Sequence, residues 1–550
     1  MDIALLSDWR LVVIMVAAAI VSSLLSLNVA ARPAAIKTGQ VATALTVAQL
    51  LFLLTRFANL FYTPLMAKFV DEAEKSHGME KLYGQFQWVI AGTVFGGVVS
   101  WMLLATAVNW LCCGVKCFHH RETMTAALAR LLRPHAWGVV ARAVRPPSNL
   151  GVRLFRLEGV SPGFLLVNVV ATGIWTVGLL AALYVSGMNP KFAITAGLLS
   201  GLVTGVAAII FSVWVDPKAA LITDLVERGV LPEKQVRVTA VHLVVGNLVG
   251  SLLGFFLLTP AIKVIEFAAN RMAETGDGTY QSLLPLLLLN LCFTLLASTT
   301  YSSRVSAVVT RQVATAVAVY NLFFLVTRLA SQFYAPALGA MRDFTVGSKT
   351  ATLQQLAHSF EWIISGAAWG ALLGWLLMPS FIEIYNWIIT KTQERGSVPS
   401  VVWYALWPPH WGELTRCLRR PSTLGITVGD VKRLPRAFLF GNAVVVAIHT
   451  CGVPAAIYCG AILPEMARTV SLMSSVVNGL ATVTLSVLVD PTISKLTDEA
   501  VKGKRPDVDV KTACFCLMAS MFVGTILAQL FFYPACRLVA WAGWALDRVF

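Results

Sequence analysis

Long apolar runs divided by short polar stretches dominate this chain. In the first half they lie near 11–30, 41–67, 88–113, 163–187, 192–215 and 239–260; in the second, near 284–300, 313–340, 362–386, 437–463, 466–489 and 512–541. A helix needs about 20 apolar residues to cross the hydrocarbon core of a bilayer, and most of these runs reach that length. The pattern predicts an all-α polytopic membrane protein with about 12 transmembrane helices. The first run lacks a strongly basic flank and a small-residue cleavage pattern, so it reads as a retained span rather than a cleaved signal.

The runs repeat. The segment QVATALTVAQLLFLLTRFANLFYTPLMAKFVD from Gln40 to Asp71 returns as QVATAVAVYNLFFLVTRLASQFYAPALGAMRD from Gln312 to Asp343, placing Arg56 over Arg328, Tyr62 over Tyr334 and Pro64 over Pro336. The register continues through Trp88 and Trp362, Pro134-His135 and Pro409-His410, Asn168 and Asn442, and Asp216-Pro217 and Asp490-Pro491. Self-similarity on this scale marks a tandem duplication. It divides the chain into a first six-helix repeat at 1–272, a linker at 273–283 and a second repeat at 284–550. Six spans return the chain to its starting side, so the two repeats are expected to be parallel and related by a pseudo-twofold axis along the membrane normal. Pro64 and Pro336 are the positions where the second span of each repeat could break.

Composition agrees: 57% of residues are hydrophobic, 13% are charged and mean hydropathy is +0.72, against about 25% charged in soluble domains. The net charge of +15 is unevenly spread. Most of the 43 Lys and Arg fall in the odd-numbered loops, above all in the long third and ninth loops. By the positive-inside rule the odd loops are cytoplasmic and both termini lie outside. Loops three and nine match each other, ALARLLRPHAWGVVARAVRPPSNLGVRLFRL against ALWPPHWGELTRCLRRPSTLGITVGDVKRLPR. Both mix Trp, Leu and Arg, a composition suited to the headgroup layer and to anionic membrane lipids. Arg142, Arg145, Arg416 and Arg419 either anchor these loops or capture an anionic headgroup, which a planar guanidinium can hold through two parallel hydrogen bonds.

Within the spans, Arg56 and Arg328 carry the most information, because an arginine near a helix centre costs roughly 2.5–3.5 kcal/mol. Each could line a pathway or snorkel to an interface. On the first reading the two face one central cavity and form a site for a pyrophosphate. Arg32 and Arg304 are placed at the cytoplasmic start of the second spans, as flanking charges or substrate ligands. Asp216 and Asp490, each before a proline at the end of a fifth span and followed by Thr223-Asp224 or Thr497-Asp498, serve either as caps or in coupling. Asn168 and Asn442 are read as interhelical hydrogen bonders. Glu361 has Gln87 as its counterpart and His449 has Trp175, so the halves differ chemically; Glu361 is a candidate gating or coupling acid.

Signatures of other chemistry are missing. Most of the ten cysteines lie singly in apolar runs, where they act as small hydrophobes. The cluster Cys112, Cys113, Cys117, His119, His120 lacks the paired spacing of structural zinc sites. Gly347-Ser348-Lys349-Thr350 has neither the leading glycine nor the GK pair of a phosphate loop, and no HExxH or GxSxG is present. No cofactor, metal, nucleic-acid partner or enzymatic activity is expected, which leaves gradients, potential or product consumption to drive transport.

The pattern Tyr301-Ser-Ser-Arg304 through Thr310-Arg311, then Val317 to Leu322, Thr327-Arg328, Phe333-Tyr334-Ala335-Pro336 and Asp490-Pro491, resembles the Amj family of alternate lipid II flippases. The first half is similar from Arg32 through Asp224, with Val29 and Gly39 where the second has Tyr301 and Arg311. Members are about half this length, so the chain looks like two Amj units fused, a single-chain pseudo-dimer. The resemblance implies flipping of lipid II, an undecaprenyl-pyrophosphate-linked peptidoglycan precursor, from the cytoplasmic to the outer leaflet of the bacterial plasma membrane by alternating access. The residues alone also admit an ion-coupled transporter of an anionic small solute or of another polyprenyl-phosphate lipid. A membrane enzyme acting on such a lipid, or an assembly scaffold, stand as further classes.

Overall fold

The computed structural model describes residues 3–39, 41–76, 78–118, 138, 141–154, 157, 159–227, 229–275, 283–348, 352–395, 398–485, 489–501 and 503–549. The described residues are mostly helical, with no strand among them. In the first copy the helices are α1 (Trp9–Leu27), α2 (Ala31–Thr38), α3 (Val41–Lys75), α4 (Met79–Phe118), α5 (Pro162–Met188), α6 (Ala193–Leu198), α7 (Ser200–Ile210), α8 (Asp216–Glu227) and α9 (Lys234–Thr275). The second copy has α10 (Leu283–Thr310), α11 (Val313–Gly347), α12 (Leu353–Leu376), α13 (Met378–Arg395), α14 (Val398–Leu406), α15 (Trp411–Thr415) and α16 (Val428–Lys432). It ends with α17 (Arg436–Ile462), α18 (Ala467–Ser471), α19 (Ser474–Thr484), α20 (Asp490–Val501) and α21 (Asp507–Val549).

Among the described residues eight helices are long and apolar enough to cross a membrane, or nine if the bent pair α12 and α13 counts as one span. The protein is an all-helical, polytopic membrane protein. Two compact units are present: Met1–Thr275 with Cys459–Gly479 and Ala540–Phe550, and Gly276–Tyr458 with Leu480–Val539. Of the expected linker at 273–283, residues 276–282 lie outside the described set.

Small residues decide how the helices pack. In lipid, helix association depends on close backbone approach, so GxxxG pairs mark interfaces. Gly92 and Gly96 of α4 lie directly on the α1 backbone: a Cβ at Gly92 would sit 2.6 Å from the Met15 carbonyl oxygen, and one at Gly96 closer still to that of Ala19. The second copy repeats the device, Gly366 and Gly370 of α12 lying on Leu287 and Leu291 of α10, again 2.6 Å for Gly366 and less for Gly370. Hydroxyls reinforce the first seam, Ser22 donating to the Thr93 carbonyl (2.9 Å) and Ser23 to that of Gly96 (2.8 Å).

Buried amides make the second repeated seam, as expected from the sequence. Asn168 of α5 donates to the Leu243 carbonyl (3.2 Å) and the Asn247 side chain (3.0 Å) of α9. Asn442 of α17 donates to the Leu517 carbonyl (3.2 Å) and Ser520 Oγ (2.8 Å) of α21. An unsatisfied amide would be costly in these apolar surroundings, so each pair fixes rotation and register as well as contact.

Two expectations are corrected, those for Arg32 with Arg304 and for Asp216, and two further features of the spans are settled. Pro64 and Pro336 do not break the second spans; both sit inside helices of 35 residues, α3 and α11. Arg32 and Arg304 do not open those spans. Arg304 lies within α10, because the polar run around it keeps its helix by bonding hydroxyls back one turn, Thr299 to Leu296 (2.7 Å) and Ser303 to Thr300 (2.7 Å). Arg32 lies on the short α2.

The third span of the second copy is not straight, since α12 and α13 meet at 66° around Leu377. Pro379 explains the bend: it has no amide hydrogen and disfavours helical backbone just before it. Its counterpart in the continuous α4 is Ala105. Finally, Asp216-Pro217 does not close the fifth span. The chain widens into a π turn at Phe211–Val215 and then continues as α8, an arrangement often met at functional sites.

Candidate functional site

The two basic loops are built by one repeated device. Each carries Arg-x-x-Arg-x-Pro-Ser-x-Leu-Gly: Arg142 to Gly151 in the first unit and Arg416 to Gly425 in the second. Proline removes backbone donors, so the arms cannot form helix there and need side chains to hold them. On α4 the Thr106 hydroxyl donates to the Arg145 carbonyl and accepts from the Arg145 amide, both at 3.0 Å. On α13 the Ser380 hydroxyl does the same for Arg419, at 3.0 and 2.8 Å.

Both arms then reverse through a left-handed pair, Leu150 (φ 52°) with Gly151 (φ 76°) and Leu424 (φ 55°) with Gly425 (φ 76°). A leucine in that region is strained and persists only where packing holds it. Leu150 is packed on the first unit's core and Leu424 on the second's. With Ala143 and Cys417 also buried, Arg142, Arg145, Arg416 and Arg419 are left exposed.

The hydroxyl is the weak link in this device, because its loss strands one amide and one carbonyl. Thr106→Val or Ser380→Ala is expected to destabilise its own arm by about 1–3 kcal/mol. Amide hydrogen exchange should speed up at 141–153 or 416–426 respectively and stay unchanged in the matching arm of the other unit.

In the second unit the arm is continuous with an aromatic platform. Trp403, Trp407 and Trp411 recur every four residues and are 72%, 57% and 57% exposed, an arrangement suited to the headgroup layer. Beneath them Tyr404 and Trp387 donate to Glu413 (2.8 and 3.1 Å) and hold its carboxyl below the usual carboxylate range. Arg395 lies 3.9 Å over the Tyr404 ring, and Arg419 is 3.5 Å from Glu383. In the first unit, Arg32 meets Asp216 at 3.9 Å, Lys37 reaches Asn109 (3.4 Å) one turn beyond Thr106, and Lys218 donates to Ser161 (2.7 Å). One end of that unit therefore gathers Arg32, Asp216 and the arm of Arg142 and Arg145.

Arg56 and Arg328 lie on α3 and α11, and their side chains are outside the described set. At about 1.5 Å per residue, Arg56 stands about 22 Å from the α3 residue Val41 and about 22 Å from Asp71 on the same helix. It is therefore central on α3. The side chain of Asp490 is likewise outside the described set, as are those of Cys117, Asp224 and Asp498 and the whole of His119 and His120. Arg304, on α10, is half-buried. Glu361 meets His358 (3.1 Å) and Tyr533 (3.3 Å), which puts polar neighbours around the candidate coupling acid.

Sequence reasoning missed one group. Arg468, which falls near the start of the run at 466–489 and was not singled out there, is 6% exposed and pairs with Asp71 and Glu74. The available signal was Asp71 itself, which closes the repeated segment and returns as Asp343.

The family model described as "Amj: Alternate to MurJ" matches the chain twice, at residues 17–269 and 289–543. The protein described as lipid II flippase Amj, from Bacillus subtilis (strain 168), is 30% identical over 255 residues, a match that covers 46% of this chain and 94% of that protein. No solved structure matches. Two family-length matches in series, covering most of 550 residues and coinciding with the repeated helices, arms and seams, show that this chain belongs to the Amj family and carries its unit twice.

Proposed function

We propose that this protein flips lipid II, or a closely related polyprenyl-pyrophosphate lipid, from the cytoplasmic to the outer leaflet of a bacterial plasma membrane. The observation that carries this reading is the match to the Bacillus subtilis lipid II flippase over 94% of its length. The chemistry supports it. A doubly anionic pyrophosphate needs cations where it enters and where it crosses, and the exposed pairs Arg142/Arg145 and Arg416/Arg419 supply the first. Arg32, Arg304, Arg56 and Arg328 supply the second, along helices that run the depth of the membrane.

For topology we add α3, α11 and the broken stretch from Pro464 to Val501 to the nine spans, which gives twelve, six in each copy. Even parity makes the copies parallel, with a pseudo-twofold axis along the membrane normal, and places both termini on the outer side. Ion contacts in the first unit support placing both termini on one side. Arg10 near the N-terminus meets Glu72 at 2.9 Å, Asp547 near the C-terminus meets Lys68 at 2.9 Å, and Lys75 reaches the Glu465 carbonyl at 3.3 Å.

The cycle begins with headgroup capture by the arms and proceeds past the span arginines to outward release, while the prenyl tail stays in lipid. The test is outer-leaflet accessibility of lipid II in cells depleted of their other flippase, with and without this chain. Exposure restored by the chain supports the proposal. Absence of exposure at normal expression sinks it and favours a small-anion transporter.

A further inference from the structure

We propose that Asp71 and Glu74, which share the guanidinium of Arg468 in the first unit, form a proton-binding site that couples transport to the proton gradient. The coupling role rests on the transport reading above; the proton site does not.

The arrangement holds two carboxylates against one cation. Arg468 Nη1 donates to Asp71 Oδ1 (2.9 Å) and to Glu74 Oε2, while Nε and Nη2 donate to the hydroxyl and carbonyl of Ser186 (2.8 and 2.9 Å). Thr469 gives its hydroxyl to Asp71 Oδ2 at 2.9 Å. Arg468 and Asp71 are buried and Glu74 is half-buried, so the surplus negative charge is poorly solvated. Two carboxylates that share one site resist being ionised together, and such a pair takes up a proton as a unit.

Neighbouring charges do not cancel the surplus. From α1, Arg10 is engaged by Glu72 (2.9 Å) and Asp8 (3.2 Å). On α3, Lys68 is engaged by Asp547 of α21 at 2.9 Å, and Lys75 bonds the carbonyl of Glu465, itself a further acid. On α4, Glu80 in the first turn adds a further carboxylate. Four cations, Arg468 included, thus stand among seven carboxylates.

Water reaches the site from one side. A cavity of about 180 Å³ is lined by Lys68, Asp71, Glu72, Lys75, Glu465 and Asp547 among others. The void behind Arg468, among Leu183, Ile194, Leu198 and Leu472, has no room for water. A proton is favoured over a metal ion because both Asp71 oxygens and one Glu74 oxygen already accept donors. Hard cations need several oxygens converging on one point, and among the described residues no three His, Cys, Asp or Glu side chains are placed to hold a metal ion together.

The second copy supplies an internal control. There Asp343 meets Arg342 at 2.9 Å, Val346 stands at the counterpart of Glu74, and in the first copy Ile194 stands at the counterpart of Arg468. The acid is therefore present in both copies, whereas the second carboxylate is present in the first copy alone. A proton on the pair leaves Arg468 and Asp71 as a neutral couple and frees Glu74. Loss of the proton lets both carboxylates grip the segment that carries Arg468.

The test is infrared difference spectroscopy on the full chain in phospholipid vesicles, between acidic and alkaline buffer at constant sodium. A carboxylic-acid C=O band should appear on acidification, vanish in Glu74→Gln and move in the conservative Asp71→Glu. Difference spectra identical in the intact chain and both variants would overturn the site, and a spectrum that responds to sodium instead of pH would overturn the choice of ion. The lipid assay separates the two proposals. Lipid II exposure without the band refutes the proton site, and the band without exposure refutes the flippase reading.

Discussion

Alanine at both Arg56 and Arg328 is expected to reduce lipid II exposure to background while leaving the protein inserted at normal levels. Each arginine lies near the middle of a 35-residue helix, where on the translocon scale it costs roughly 2.5–3.5 kcal/mol to insert. Removing that cost should not impair insertion, so a loss of transport would report on contact with cargo rather than on folding. Because the two positions are counterparts in a duplication, a single replacement is expected to leave measurable transport. The measurement is outer-leaflet accessibility of lipid II at matched protein levels, with Arg56→Lys and Arg328→Lys as companions. Lysine keeps the charge but loses the bidentate fork, so an intermediate rate would indicate that phosphate geometry matters as well as charge. Full transport by the double alanine variant would remove these residues from the pathway.

Valine at Gly96 or Gly370 is expected to damage the fold rather than the chemistry. A side chain there enters the carbonyl row of the facing helix, α1 or α10, in a seam without slack. Overpacking of this kind costs about 1–3 kcal/mol in a well-packed interior, and backbone oxygen yields less readily than a flexible side chain. Thermal unfolding in detergent should drop for either variant, whereas Gly412→Ala, where an added Cβ meets nothing within 4 Å, should leave it unchanged. Equal stability of the two valine variants and the parent would mean that the GxxxG seams do not hold these helices together.

Much of the fold was legible from the sequence because lipid imposes simple rules. Apolar length marks spans, and the duplicated segments gave two views of each feature. The role of Asn168 and Asn442 followed from that, since a buried amide in an apolar run has to find a partner. The arms were legible as matched basic segments, but not the means of holding them. Thr106 and Ser380 are ordinary hydroxyls in apolar runs, and only their approach to the Arg145 and Arg419 backbones distinguishes them. The bend at Leu377 was missed because the apolar run continues across it, although a single proline replaces Ala105 there.

The sequence by itself determined the solvent, the helical class, the duplication and the family, since hydropathy, periodicity and repeated motifs are properties of residue order. Tertiary structure decided which charges meet. Asp71 and Arg468 are separated by almost 400 positions in different copies, yet they lie 2.9 Å apart. In sequence, Arg468 is one cation near the start of an apolar run, and Asp71 is the last residue of the repeated segment. Their pairing depends on Cys459–Gly479 clustering with the first unit rather than with the rest of its own copy. Coulomb interaction and desolvation depend on distance and burial in space, which spacing along the chain does not encode.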